Sequence, residues 1–187
     1  MTINLTASRY GRVAQSLHWI IAALIVLQFV LASLADDLPL GMQKLAMLAR
    51  HKSVGMTILM LAVARLVWRL GHPAPALPAG MTGLERWAAR FTHWLFYALL
   101  FAMPLSGWLM SSAKNYTVSW FGLFSWPNLI APSEAGFKAL RQTHQVLAGV
   151  LFFTALLHIA AALKHHFWNK DDVLRRMLPF TSASRKP

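Results

Sequence analysis

The 187-residue chain contains no cysteine. That excludes disulfides, cysteine-ligated iron–sulfur clusters, haem attached through C-x-x-C-H and a thiol nucleophile. Acidic residues are scarce, six Asp and Glu against 18 Lys and Arg. Charged residues make up 13% of the chain, where a soluble domain carries about 25%. The deficit falls in four windows that hold no Asp or Glu at all. A proton pump or cation carrier normally places a carboxylate inside its membrane spans, so the absence weakens both readings.

What is present is apolar: 57% hydrophobic residues and a mean hydropathy of +0.47. The four windows are about 17–35, 53–70, 91–113 and 146–163. Each is close to the ~20 residues that cross ~30 Å of hydrocarbon as a helix. The expected fold is an all-α membrane protein, one four-helix domain over residues 1–187. Arg65 and Arg69 fall in the last turns of the second run and can snorkel to the interface. The first run, with Arg9 and Arg12 before it and "SLA" after it, imitates a signal peptide. It is longer than the ~7–15-residue apolar core of such a peptide and reads as a span. The formal charge of +12 sits at the ends of the runs, where lipid headgroups lie, and no basic helix or RNA-binding motif appears. The expected partner is membrane lipid, and no nucleic acid.

Orientation follows from the same charges. With the N-terminus inside, the inner segments carry Arg9, Arg12, Arg65, Arg69, Arg86, Arg90, Lys164, Lys170, Arg175, Arg176, Arg185 and Lys186, 12 of the 18 basic residues. The outer loops hold Lys44, Arg50, Lys52, Lys114, Lys138 and Arg141. The excess predicts both termini on the cytoplasmic side. The aromatic stretch "WFGLFSWPNLI" between the third and fourth runs is expected on the outer membrane surface.

Eight histidines then stand out, because an ionisable residue at membrane depth is expensive and marks function by default. His51 and His144 open the second and fourth runs, on the outer side. His18 and His93 open the first and third, on the inner side, and His158 nears the inner end of the fourth. His144 and His158 are fourteen residues apart, about 21 Å of rise and about 40° short of four full turns. They share a helix face at two depths, the spacing for two stacked sites rather than one. The outer pair is His51 with His144; the inner is His158 with either His18 or His93. Paired neutral imidazoles in an apolar four-helix core suit an iron porphyrin. Gly55 and Gly149, near the outer ligands, would make room for its flat face. His72, His165 and His166 read as surface residues.

The motifs "SLHW", "RHKSVG", "RLVWR", "THW…YALLFAMPLSGW", "THQVLAGVLFFTALLHIAAALKHHFW" and "LRRMLP" follow one another over essentially the whole chain. In this the sequence resembles the bacterial cytochrome b561 family, four-helix membrane cytochromes with two b haems. The resemblance implies two non-covalent, bis-histidine haem b groups, on His18 and His158 (inner) and on His51 and His144 (outer). It implies an inner-membrane electron carrier with ubiquinone as acceptor and no catalytic side chain of its own. His93, left over, becomes the candidate quinone-site residue. Arg50, Lys52, Lys138 and Arg141 flank the outer ligands as a funnel for a small anionic donor or as propionate contacts. Superoxide is such a donor in this family, which would make the chain a superoxide:quinone oxidoreductase. The alternative is a haem-bearing anchor and relay subunit of a dehydrogenase or hydrogenase, meeting a redox partner protein. Arg65 and Arg69 stay open between a propionate and a lipid phosphate.

Overall fold

The computed structural model describes residues 9–78 and 80–179. Four helices account for most of them: α1 Arg12–Asp37, α2 Met42–Gly71, α3 Gly83–Ala113 and α4 Glu134–Phe167. All four are long and apolar enough to cross a membrane. Each extends beyond the apolar run that announced it. At 34 residues, α4 is about 51 Å long, so its ends must stand clear of a ~30 Å hydrocarbon layer. The site histidines therefore lie inside helices, nine residues or so from the helix start in α2 and α4, rather than at their first turns. Of the charges counted for orientation, Arg185 and Lys186 lie outside the described residues.

The polar ends of the helices are closed by local chemistry. Thr82 and Glu85 form a reciprocal capping box on α3, with Glu85 N donating to Thr82 Oγ1 at 3.2 Å and Thr82 N to Glu85 Oε2 at 2.9 Å. Ser133 Oγ accepts from Gly136 N at 3.1 Å at the start of α4. Between α1 and α2, Lys44 Nζ donates to Leu38 O at 3.0 Å, satisfying a carbonyl at the end of α1.

Backbones pack closely for α1 with α2, α2 with α3 and α3 with α4. Ile21, Leu31, Val54, Ile58, Ala62 and Leu100 form the buried apolar cluster among the first three. The fourth side of the ring is different. There α1 and α4 meet through side chains: Phe29 on Phe152, ring centres 5.7 Å apart, and His18 opposite His158. The histidine pairs thus span the part of the bundle where the helices stand off from one another. His18, His158, the start of α1 and the described segment after α4 share one end, the near end; His51 and His144 share the far end.

Each end has a cover. At the far end the α3–α4 connection contains two short antiparallel strands absent from the all-helical expectation, β1 Val118–Trp120 and β2 Phe124–Trp126. Their turn has positive φ at Phe121 and Gly122, with Leu123 N donating to Trp120 O at 2.9 Å. Two successive positive φ values belong to the primed turns that match strand twist, and glycine takes one of them without strain. The hairpin is held by Ser53, buried in α2. Its Oγ lies 2.9 Å from Ser119 O and 3.0 Å from Ala49 O as donor, and accepts from Phe121 N at 3.0 Å. Trp120 Nε1 donates to Thr57 Oγ1 at 3.0 Å one turn further along.

At the near end the segment after α4 turns back under α1. Gln15 Nε2 donates to Arg176 O at 3.0 Å, Trp19 Nε1 to Met177 O at 2.9 Å and Arg9 Nη2 to Leu178 O at 2.6 Å. Arg176 Nη1 reaches Ala76 O of the α2–α3 connection at 2.5 Å.

Ser53→Ala strands a buried amide and should cost roughly 1–3 kcal/mol. Thermal unfolding of the detergent-solubilised protein is expected to show a clear drop in midpoint. An unchanged midpoint would mean that the hairpin is held some other way.

Candidate functional site

The far pair joins α2 to α4. The ring centres of His51 and His144 are 6.3 Å apart, their planes inclined at 71°. The near pair joins α1 to α4, with His18 and His158 also 6.3 Å apart and inclined at 65°. A metal–imidazole nitrogen bond is about 2.0–2.1 Å, so two rings gripping one ion from opposite sides put their nitrogens roughly 4 Å and their centres about 6 Å apart. Both pairs have the spacing of two axial ligands with an ion between them. His93 lies at the near level as well, its ring centre 5.8 Å from that of His158, while its own side chain is exposed. Phe96 packs on His158 at 5.2 Å.

Hydrogen bonds decide which nitrogen of His144 is available. Ser106 Oγ lies 2.8 Å from Met103 O and 2.8 Å from His144 Nδ1. The carbonyl can only accept, so the hydroxyl proton goes there, and both contacts are made when Nδ1–H donates to Ser106 Oγ. That tautomer leaves Nε2 with a lone pair, the form a metal ligand needs. Gly107 stands beside the same ring. A Cβ built there would come 3.2 Å from His144 Cε1, so the residue after Ser106 must be small for the imidazole to keep its place. Across the pair, His51 Nδ1 is buried with no hydrogen-bond partner. A buried unpaired ring nitrogen is costly, and a prosthetic group filling the stand-off space beside it would supply the missing partner. The donor set therefore fits a haem: neutral nitrogen pairs, no thiolate, an apolar surround and open space between helices. Among the described residues no three His, Asp or Glu side chains gather to hold a bare metal ion, so the pairs suit a group that brings its own equatorial ligands.

The match to known proteins runs the length of this geometry. Residues 9–180 match the family described as prokaryotic cytochrome b561. The chain belongs to the prokaryotic cytochrome b561 family. It is thereby a membrane electron-transfer protein of a kind that carries b-type haem. The cytochrome b561 homolog 2 of Escherichia coli (strain K12) is 35% identical over 185 residues, 98% of each chain. A protein of Yersinia pestis named probable superoxide oxidase CybB is 28% identical over 174 residues, covering 91% of this chain and 96% of that one. The cytochrome b561 homolog 1 of Escherichia coli (strain K12) is 25% identical over 173 residues, 92% of this chain and 98% of its own.

Some sequence expectations need adjusting to this b561 fold. Gly55 lines a far-end cavity with Lys52 and Gly107, and a Cβ there would also meet Gln28 Nε2 at 3.0 Å. Gly149 does face open space. Gly107 and Ser106, inside the "PLSGW" stretch, are the residues that shape the far ligand, and helix periodicity alone carried no sign of either. The four outer basic residues are not one cluster. Lys52 is half-buried, its Nζ 3.4 Å from Thr117 O and 5.8 Å from the Tyr116 ring centre. Arg50, Lys138 and Arg141 are exposed.

His165 was expected at the surface and is buried. The reason is the returning segment, which lays Asp171 against it, Nδ1 to Oδ2 at 2.5 Å. The other carboxylate oxygen of Asp171 accepts from Val173 N at 3.1 Å. His165 sits seven residues below His158, on the same face of α4 two turns away. It anchors the cover of the near end. His165→Ala should make the segment 169–179 more sensitive to limited proteolysis while the helices stay intact. His166→Ala, one residue on, is the control. Equal cleavage of both variants and wild type would show that the pair with Asp171 does not hold the segment.

Proposed function

We propose that this chain is a di-haem b cytochrome that carries electrons across the bacterial inner membrane, from a donor outside to ubiquinone. Both termini are cytoplasmic, so the near end is the inner one. His18 and His158 hold the inner haem and His51 and His144 the outer. The observation that carries the reading is the equal 6.3 Å separation of the two histidine pairs, which meet across the open side of the bundle. A bis-histidine b haem supplies reversible one-electron storage with no open coordination position. The protein's own residues do the rest. Ser106 fixes the His144 ring, and the Ser53-held hairpin covers the outer level. Between the levels, the apolar cluster of α1 to α3 makes the interior a poor place for an ion.

The donor is superoxide. The relative named a probable superoxide oxidase supports this, as does the positive charge of the outer face. Superoxide loses one electron and leaves as O₂; no bond to the protein forms. Two superoxide ions, one quinone and two protons give two O₂ and one quinol, and the electrons balance. Lys52, half-buried at the far end, and the exposed Arg50, Lys138 and Arg141 elsewhere on the same side add positive charge that raises the local concentration of a small anion. At the near level His93 is the quinone-site residue. Its exposed imidazole, beside His158, is open to a lipid-soluble molecule arriving from the bilayer; one ring nitrogen donates to the Ala89 backbone, and the other can accept a hydrogen bond from the quinol hydroxyl.

Pyridine haemochrome analysis of the purified chain should give about two b haems. His51→Ala or His144→Ala should remove one, and His18→Ala or His158→Ala the other. His93→Ala should keep both and slow quinone reduction at least tenfold in stopped flow. Retention of two haems in any of the four ligand variants, or unaltered kinetics in His93→Ala, would refute the corresponding assignment.

Charge reversal at Lys52 or Arg141, to Glu, should slow haem reduction by superoxide and flatten its dependence on ionic strength. If the rate and its salt dependence stay as in wild type, the basic residues do not steer the donor.

A further inference from the structure

The spacing of the two levels recurs on a second helix. In α2, Arg65 follows His51 by fourteen residues, the interval that separates His144 from His158 on α4. It is about 21 Å of rise and four turns less about 40°. So α2 presents a histidine to the far level and a guanidinium, on nearly the same face, to the near level. Arg65 is half-buried, and its Nη1 donates to Ala14 O on α1 at 3.1 Å. Ala14 is four residues before His18, so its carbonyl belongs to the helical turn that carries the near ligand.

The charges around the two levels differ. Arg65 is within electrostatic reach of His18, His93 and His158, and Arg69 adds to it at His93. The near-end carboxylates are engaged elsewhere: Glu85 with Lys164 at 2.8 Å, Asp171 with His165, Asp172 with Arg176 at 2.9 Å. At the far level the charges that reach His51 are Asp36 and Lys52, one of each sign. Close to its histidines, the near level has two guanidinium groups whose neighbouring carboxylates are engaged elsewhere, whereas the charges nearest His51 are one of each sign.

We propose that Arg65 is the residue that makes the near level the stronger electron acceptor, and so gives transfer its direction, from His51 and His144 to His18 and His158. The proposal rests on the two-haem reading above. An added electron is a negative charge, and a fixed cation nearby stabilises it, more so in an apolar interior than in water. In the step, one electron leaves the far level, which is oxidised, and arrives at the near level, which is reduced. No proton moves and no bond is made or broken.

Potentiometric titration of the full-length protein in detergent tests this. Wild type should show two b-type waves, and the more positive should be the one that survives in His51→Ala. Arg65→Gln should move that wave to lower potential by a tenfold or greater change in its equilibrium, 59 mV for a one-electron couple. The other wave should shift less. Arg65→Lys keeps the charge and should hold the wave within that limit; this variant also serves if Arg65→Gln does not accumulate. An unmoved near wave in Arg65→Gln, equal shifts of both waves, or a near wave more negative than the far one would each overturn the role of Arg65 and leave the two haems standing. A wild-type chain without two haem waves would instead overturn the two-level reading, and this proposal with it.

Discussion

An imidazole at membrane depth has two nitrogens to satisfy and no water to do it. Much of this structure follows from that constraint. At the far level one nitrogen of His144 is engaged by Ser106, 2.8 Å away, and its ring centre lies 6.3 Å from that of His51. His51 keeps a buried nitrogen with no protein partner. Left alone, such groups would destabilise the bundle by about 1–3 kcal/mol each.

The same constraint explains the shape of the bundle. Four helices packed tightly on all sides would leave no room between the paired rings. Close backbone packing is confined to successive helices, and α4 is held off from α1 by facing side chains. A stand-off of this kind weakens the bundle on one side, and the ends make up for it. Ser53 ties the hairpin to α2 at the far end, and Gln15, Trp19 and His165 tie the returning segment to α1 and α4 at the near end. Each tie lies within seven residues of a ligand histidine in sequence. The covers close the bundle where its open side would otherwise admit water to the rings.

Much of this could be read before the fold was known, and the limits are physical. Span number and the two depths follow from hydropathy and the 1.5 Å rise of a helix, both local properties. The equal spacing of the pairs agrees with that arithmetic. Helix ends were misplaced inward, because apolar runs mark the hydrocarbon, whereas capping by Thr82 and Ser133 sets where the helices begin. His165 was misread for a different reason. Its burial depends on Asp171 and on contacts between residues some 160 positions apart, and no periodicity encodes those. Ser106 and Gly107 were hidden by their chemistry: a serine and a glycine in an apolar helix look like ordinary close packing until the ring they serve is in place.

Selectivity for electrons follows from where the charges are not. The six acidic residues stand at helix termini or beyond them: Asp36 and Asp37 close α1, Glu85 and Glu134 open α3 and α4, and Asp171 and Asp172 follow α4. Between the two levels the interior is mostly apolar, with Leu151 and the aliphatic cluster, and among the described residues it holds no charged side chain; its polar groups there include Thr154 and Gln28. A proton entering that region would be poorly solvated, at a cost of several kcal/mol even after relaxation. An electron needs no such solvation, because it moves between sites that already hold their geometry on either side. On the proposed two-level reading, the stretch of about 21 Å between His144 and His158 favours an electron over a proton because, among the described residues, it holds no charged group to solvate one.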